Sequence, residues 1–154
     1  MKLPKLTAFI FSSILLASCS QADDIFNDNN YVGNALPMSG AQEVPAVTTG
    51  ATGSINASYN RLSRILSYKV SFSGLSGNAT AAHIHGTAEA GFIAGVLQSF
   101  SGFPAKTAGT YSGTLYVDGI KIKEAELLAG WYYVNIHTAA NSGGEIRGQL
   151  ILKN

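Results

Sequence analysis

The sequence has one cysteine among its 154 residues, so no disulfide can form within the chain. Charged residues make up only 12 %, with 10 Lys and Arg against 9 Asp and Glu. Because no basic cluster is present to contact phosphates, we expect no nucleic-acid partner. Beyond the N-terminal segment, no stretch is apolar for long enough to span a bilayer. The length fits one domain that buries its core without disulfides.

The N-terminal residues MKLPKLTAFIFSSILLASCS have the form of a secretory signal peptide. Lys2 and Lys5 make a short basic start, and the apolar run that follows is too short to serve as a spanning helix. Leu-Ala-Ser-Cys resembles the lipobox of bacterial lipoproteins. This predicts a signal peptide over residues 1–18 and lipidation of Cys19. The alternative is an ordinary secreted protein in which Cys19 has no such role.

A lipidated Cys19 would hold the protein on a membrane, since each buried CH₂ of a lipid chain contributes roughly 0.8 kcal/mol. Ser20 stands where an aspartate would be the usual signal for retention at the inner membrane of Gram-negative bacteria. We therefore expect a lipid-anchored protein of the cell envelope, at the outer membrane, on its periplasmic or surface face. Residues 19–34 are interpreted as the lipidated cysteine and a flexible tether, and residues 35–154 as one domain.

From Gly50 onward, polar and apolar residues alternate as they do in half-buried strands. The runs GSINASY and ILSYKVSFSGL predict a hairpin, and GTYSGTLYV and EIRGQLIL predict further strands. Short strands with glycine-rich turns indicate an all-β fold, an antiparallel Greek-key sandwich or barrel. The segment KEAELLAG instead predicts one short helix before the penultimate strand, with Gly130 at its C-terminal cap.

The three histidines of the chain lie in two short segments, AAHIHG and WYYVNIHT. In the first, Ile84 is the residue expected in the core, so His83 and His85 share the opposite face of the strand. In the second, Ile136 faces inward and His137 faces outward. If the two strands are neighbours, opposite Cβ atoms lie roughly 4.5–5.5 Å apart and the three imidazoles could meet on one ion.

Imidazole is a ligand for copper, zinc, nickel and iron, and three imidazoles leave an open position on the metal. We therefore predict a metal site at His83, His85 and His137, and the preference for one copper ion over zinc comes from a family resemblance and not from these residues alone. A second interpretation is structural, with His83 and His85 bonded to loop carbonyls and shaping the turn at Gly86, and both remain open. Catalysis without a metal has less support, because the chain lacks a Gly-x-Ser-x-Gly nucleophile elbow or another nucleophile–base arrangement.

Three long motifs resemble the CHRD domain, the module named after chordin. They are LPMSGAQEVPAVTTGATGSINASY, LSYKVSFSGLSGNATAAHIHGTAEAG and ELLAGWYYVNIHTAANSGGEIRGQLIL, in this order over residues 36–152. The resemblance implies an extracellular β-sandwich-like module and no settled biochemical activity. The positions that carry over are Glu43, His83, His85, His137, Glu145 and Arg147.

The order of these motifs is also similar to that of copper-zinc superoxide dismutases. In that family too, His-x-His on a strand is followed by a later histidine and by a glycine-rich turn into Arg-Gly. This resemblance implies copper on His83, His85 and His137, and an anion attracted by Arg147. The chain departs from the family because no histidine lies between His85 and His137, so the bridging ligand and the zinc cluster are missing.

Taken together, these features predict a membrane-anchored extracytoplasmic CHRD module that binds without catalysing a reaction. Its ligand would be the metal, an unknown protein or an extracellular polymer. The alternative function is a copper-dependent redox enzyme of superoxide-dismutase-like architecture. A third interpretation is a structural envelope protein that binds nothing.

Overall fold

The computed structural model describes residues 29–154. The predicted signal peptide, Cys19 and residues 20–28 of the predicted tether lie outside the described residues. The described part contains eight strands, a 3₁₀ turn and one short α-helix. In chain order these are β1 (Asn30–Ser39), the 3₁₀ turn (Gly40–Gln42), β2 (Thr52–Asn60), β3 (Ile65–Ser73), β4 (Ala79–His85), β5 (Val96–Ser99), β6 (Gly109–Tyr116), α1 (Glu124–Leu128), β7 (Tyr133–Thr138) and β8 (Ile146–Gln149).

The eight strands form one antiparallel sheet in the order β5-β4-β7-β8-β1-β2-β3-β6. A side chain bridges the two edge strands. Gln98 of β5 donates to the Thr114 carbonyl of β6 at 3.1 Å and accepts from the Tyr68 hydroxyl at 3.1 Å. The sheet is therefore a nearly closed barrel. The prediction of an antiparallel all-β fold with one short helix before the penultimate strand is confirmed.

Alternation of side chains places the core inside this barrel. In β3, every second residue is buried, and β2 pairs with β3 from Thr52↔Ser73 to Asn60↔Ile65, which confirms the predicted hairpin. Each large aliphatic side chain buried in this way contributes roughly 1.5–3 kcal/mol. The fully buried core residues include Ile55, Tyr59, Leu66, Val70, Ile84, Val117, Leu127, Tyr132, Val134, Ile136, Ile146 and Leu150.

The predicted tether ends earlier than residue 34, because β1 begins at Asn30. Asn30 pairs with Asn60 and Tyr31 with Tyr59, and the two tyrosine rings lie 6.5 Å apart. Backbone pairing with β2 thus determines the structure here, although the local sequence is rich in Asn and Asp. A polar composition alone does not identify a linker when a neighbouring strand offers hydrogen bonds.

The helix α1 fixes the start of β7. Its Leu127 is buried in the core. Its Glu124 accepts a hydrogen bond of 2.6 Å from the Tyr59 hydroxyl and forms an ion pair of 2.7 Å with Arg61. Gly130 follows with a φ of +76°, the left-handed conformation that commonly ends a helix. No helix within residues 29–154 is long and apolar enough to cross a membrane.

Candidate metal centre

The three histidines meet because β4 and β7 are adjacent antiparallel strands. His83 lies opposite Asn135, and Ala81 lies opposite His137. Since Ile84 and Ile136 point into the core, the histidine rings share the other face of the sheet. One ring nitrogen from each histidine lies within 4.8 Å of the other two. The structure therefore brings together the three residues predicted to be metal ligands.

The histidine face points away from the core but is covered by two loops. His85 is 8 % exposed and His137 is 9 % exposed, whereas His83 is half-buried. The Ala94 carbonyl lies 2.9 Å from Nδ1 of His85, and the Ser142 carbonyl lies 2.9 Å from Nδ1 of His137. A loop carbonyl thus bonds His85, as the structural interpretation expected, whereas His83 bonds to His137 instead of to a loop carbonyl. His85 and His137 each keep one nitrogen for another partner.

These carbonyls determine which nitrogen of each ring carries the proton. A carbonyl oxygen only accepts, so Nδ1 of His85 and of His137 donates. In a neutral ring, Nε2 then has a free lone pair, and the carbonyl orients the ring as second-shell partners do in metal sites. Burial lowers the pKa of His83 and His137, and neighbouring imidazoles lower it further. The hydrogen bond to Ser142 opposes this shift at His137 without reversing it. His83 and His137 are therefore neutral near pH 7, the state in which imidazole binds a metal.

Asn135 lies between the histidine rings. It is 2 % exposed, and its Oδ1 is 3.0 Å from Nε2 of His85 and 3.0 Å from Nε2 of His137. Nδ1 of His83 is 2.9 Å from Nε2 of His137. The sequence contains a signal for this residue, since Asn135 precedes His137 by two positions and so shares its strand face. Its contact with two histidines could not be predicted without the strand register.

His83 connects the cluster with solvent. It lines a surface cavity of about 240 Å³, together with residues of β4 and of the segment that follows β5. Ser99 and Phe100 form the opposite wall of this cavity. Of the three histidines, only His83 lines this cavity.

Arg147 stabilises the loop of residues 86–95 that covers His85. Its guanidinium lies 3.4 Å from the centroid of the Tyr133 ring and donates to the carbonyls of Phe92 at 2.8 Å and Glu89 at 3.4 Å. The Tyr133 ring also stacks on His85, with centroids 4.8 Å apart. These contacts explain why a buried arginine lies on this face. They add no support for the anion-attracting role implied by the dismutase resemblance.

Glu145 is held by four hydrogen bonds. Its carboxylate accepts from the hydroxyls of Thr49, Ser76 and Thr138 and from the Ser76 backbone amide, at 2.6–2.8 Å. Burial alone would raise the pKa of Glu145, but these bonds outweigh it and lower the pKa to about 2. Glu145 is therefore an ionised structural anchor. It contacts neither a histidine nor Arg147.

Glu43 has a different environment. It is 7 % exposed, and its Oε1 has no hydrogen-bond partner. Gly144 packs directly against this oxygen, where any side chain would collide with it. Burial raises the pKa of Glu43 to about 7, although Arg147 and the Val44 backbone amide act in the opposite direction. Glu43 and Glu145 share no hydrogen bond.

We expect Glu43→Gln to stabilise the protein above neutral pH. The folded state keeps the Glu43 proton up to about pH 7, whereas an ordinary glutamate loses it near 4.5. The contribution of the protonated Glu43 carboxyl to the free energy of unfolding is thus fully present below pH 4.5 and is lost as the pH rises through 7. At pH 8, urea denaturation should give the variant a free energy of unfolding higher by about 1–3 kcal/mol. Equal pH dependence of the variant and the wild type between pH 5 and 8 would contradict this assignment.

The model of the CHRD domain family matches residues 35–150. This range includes the three histidines, Asn135 and all the buried polar residues described around them. No curated protein and no solved structure matches the chain.

Proposed function

The chain belongs to the CHRD domain family, and we propose that this module binds one copper-type metal ion through His83, His85 and His137. The observation that supports the proposal most strongly is the convergence of three ring nitrogens within 4.8 Å. They come from two adjacent strands, so the backbone of the barrel fixes their separation. Nitrogen ligands of this type bind copper more tightly than the other divalent metals of the first transition row.

Three further features favour metal binding over a purely structural role. The pKa values of His83 and His137 are lowered, so protons compete weakly with a metal at neutral pH. The Ala94 and Ser142 carbonyls orient two of the rings, as second-shell partners do. His83 borders a surface cavity, so one of the three proposed ligands lies next to solvent.

We further propose that the module binds its metal without catalytic turnover. Redox catalysis at a copper ion requires access for a second reactant, and this access is restricted to the side of the half-buried His83, since His85 and His137 are buried beneath loops. The cation nearest to this face, Arg147, already donates to the Phe92 and Glu89 carbonyls. Superoxide consumption by the copper-loaded protein at the rate of free copper or faster would support an enzyme instead.

The metal site is tested by titration of residues 20–154, purified without a histidine tag, with Cu²⁺ in the presence of a competing chelator. We expect one copper per chain in the wild type and none above background after His83→Ala, His85→Ala and His137→Ala are combined. The unchanged strand signal in circular dichroism would show that the triple variant is folded. Equal copper content in both proteins would refute the proposal.

We propose that lipid on Cys19 anchors this module to a membrane of the cell envelope. The proposal derives from the lipobox-like Leu-Ala-Ser-Cys and from the apolar run before it. In a bacterial host, we expect the full chain to incorporate labelled palmitate and to sediment with membranes, whereas Cys19→Ser should abolish both. Membrane association of an unlabelled Cys19→Ser protein would indicate attachment by another part of the chain.

A further inference from the structure

We propose that Asn135 is a fourth ligand of the metal, through its side-chain oxygen. The site would then hold the ion with three nitrogens and one oxygen in a tetragonal arrangement, which suits Cu²⁺ or Ni²⁺. This inference rests on the proposed function, because it requires a metal ion on the three histidines. It adds the residue that completes the ligand set and the geometry that selects the metal.

The first argument is the pairing of hydrogen-bond donors and acceptors. Nδ1 of His85 and of His137 donates to a loop carbonyl, which leaves a lone pair on each Nε2. Both lone pairs face Oδ1 of Asn135 at 3.0 Å, and this oxygen is also an acceptor. With neutral rings, three acceptors that meet in a buried place repel one another unless a donated proton or a metal cation lies between them. A metal ion bound to all three atoms removes this conflict.

The second argument is the spacing of the four atoms. The separations along the series His83 Nδ1, His137 Nε2, Asn135 Oδ1 and His85 Nε2 are 2.9, 3.0 and 3.0 Å. Two ligands about 2.0–2.1 Å from a metal lie about 2.9 Å apart at a right angle and about 3.3–3.4 Å apart at a tetrahedral angle. Each of the three observed separations fits a pair of ligands that meet the metal at about a right angle. Square-planar or tetragonal nitrogen and oxygen sites are typical of Cu²⁺ and Ni²⁺.

The third argument is the orientation of the amide. Asn135 lies on β7, between β4 and β8, and its Nδ2 points to the Gly143 carbonyl at 3.5 Å. Gly143 belongs to the same loop as Ser142, whose carbonyl orients the ring of His137. One loop therefore directs both the His137 ring and the Asn135 oxygen toward the same point.

The test compares Asn135→Leu with Asn135→Asp in residues 20–154. Leucine has the same branched skeleton of heavy atoms as asparagine but no atom that binds a metal, whereas aspartate keeps the shape and offers a stronger oxygen ligand. Gln149→Leu is the matched control. It removes a buried amide from the same face, but Gln149 accepts from Arg147, donates to the Ala88 and Gly130 carbonyls and bonds to no histidine.

We expect Asn135→Leu to lower the Cu²⁺ affinity by a factor of about 10–100 and to change the axial EPR spectrum. Asn135→Asp should bind at least as tightly as the wild type and also show a changed spectrum, and Gln149→Leu should match the wild type in both.

If Asn135→Leu binds copper within twofold of the wild type with the same spectrum, the amide is not a ligand and the three-histidine site still stands. If the wild type binds no copper, both proposals fall. Should Asn135→Leu not fold, an unchanged spectrum for Asn135→Asp overturns the inference.

Discussion

Glu145→Ala should lower the free energy of unfolding by about 3–5 kcal/mol, because it removes several hydrogen bonds to a buried charge, each of which contributes roughly 1.5–3 kcal/mol without being fully additive. The carboxylate is fully buried and receives hydrogen bonds from Thr49, Ser76 and Thr138. Alanine would leave these donors without their acceptor and open a cavity. Domains of this size are stable by only about 5–15 kcal/mol, so the variant should be near the limit of folding at 37 °C. Urea denaturation measures the difference directly.

The pH dependence separates the charge of Glu145 from its volume. Because its folded-state pKa is lowered from 4.5 to about 2, the ionised carboxylate stabilises the fold above pH 4.5. This stabilisation is lost as the pH falls through 2. Glu145→Gln keeps the volume, so it should lose less stability between pH 5 and 2 than the wild type does.

Glu89→Ala is the control for both Glu145 variants, since Glu89 is exposed and surface substitutions of this kind change the stability by no more than about 0.5 kcal/mol. A Glu145→Ala protein within 1 kcal/mol of the wild type in stability would contradict the anchor role. It would mean that water replaces the carboxylate without cost.

The second large effect is stabilisation of the fold by copper. A ligand that binds only the folded state at a free concentration 1,000 times its Kd adds about 4 kcal/mol to the free energy of unfolding. For a domain of this size, that corresponds to a rise in Tm of roughly 10–20 °C. Differential scanning calorimetry with and without Cu²⁺ should show this rise for the wild type.

The comparison is made within each variant, because removal of three partly buried histidines itself changes the stability. The triple variant of His83, His85 and His137 should show the same Tm with and without copper. A rise in Tm that is equal in the two proteins would place the copper elsewhere in the chain. A fall in the wild-type Tm would indicate binding to the unfolded state.

The sequence predicted the barrel because its strands alternate strongly. In β3, one face must be buried, and a shift by one residue would expose every large side chain. The same rule placed His83, His85 and His137 on the face opposite the core. Their convergence depended further on the pairing of β4 with β7, strands that are about 50 residues apart along the chain. No local pattern encodes that pairing.

Other parts of the site could not be predicted, since they depend on long-range contacts. Glu145 alternates with Ile146 like a surface residue, yet Thr49 and Ser76 approach it from distant loops and bury it. Asn135 looks like an ordinary outward amide until the register places it beside His85. The prediction was also wrong at β1, where Asn30 begins a strand inside the predicted tether. In each case, tertiary hydrogen bonds outweigh the local composition.

The most direct test of the central claim is pulsed EPR on residues 20–154 loaded with one equivalent of Cu²⁺. Modulation of the electron spin echo by the remote nitrogens counts the imidazoles on the copper. We predict three imidazoles in the wild type, and two in each of the single variants His83→Ala, His85→Ala and His137→Ala that retains copper. A spectrum with no imidazole, or one unchanged in all three variants, would contradict the assignment of the histidines as metal ligands.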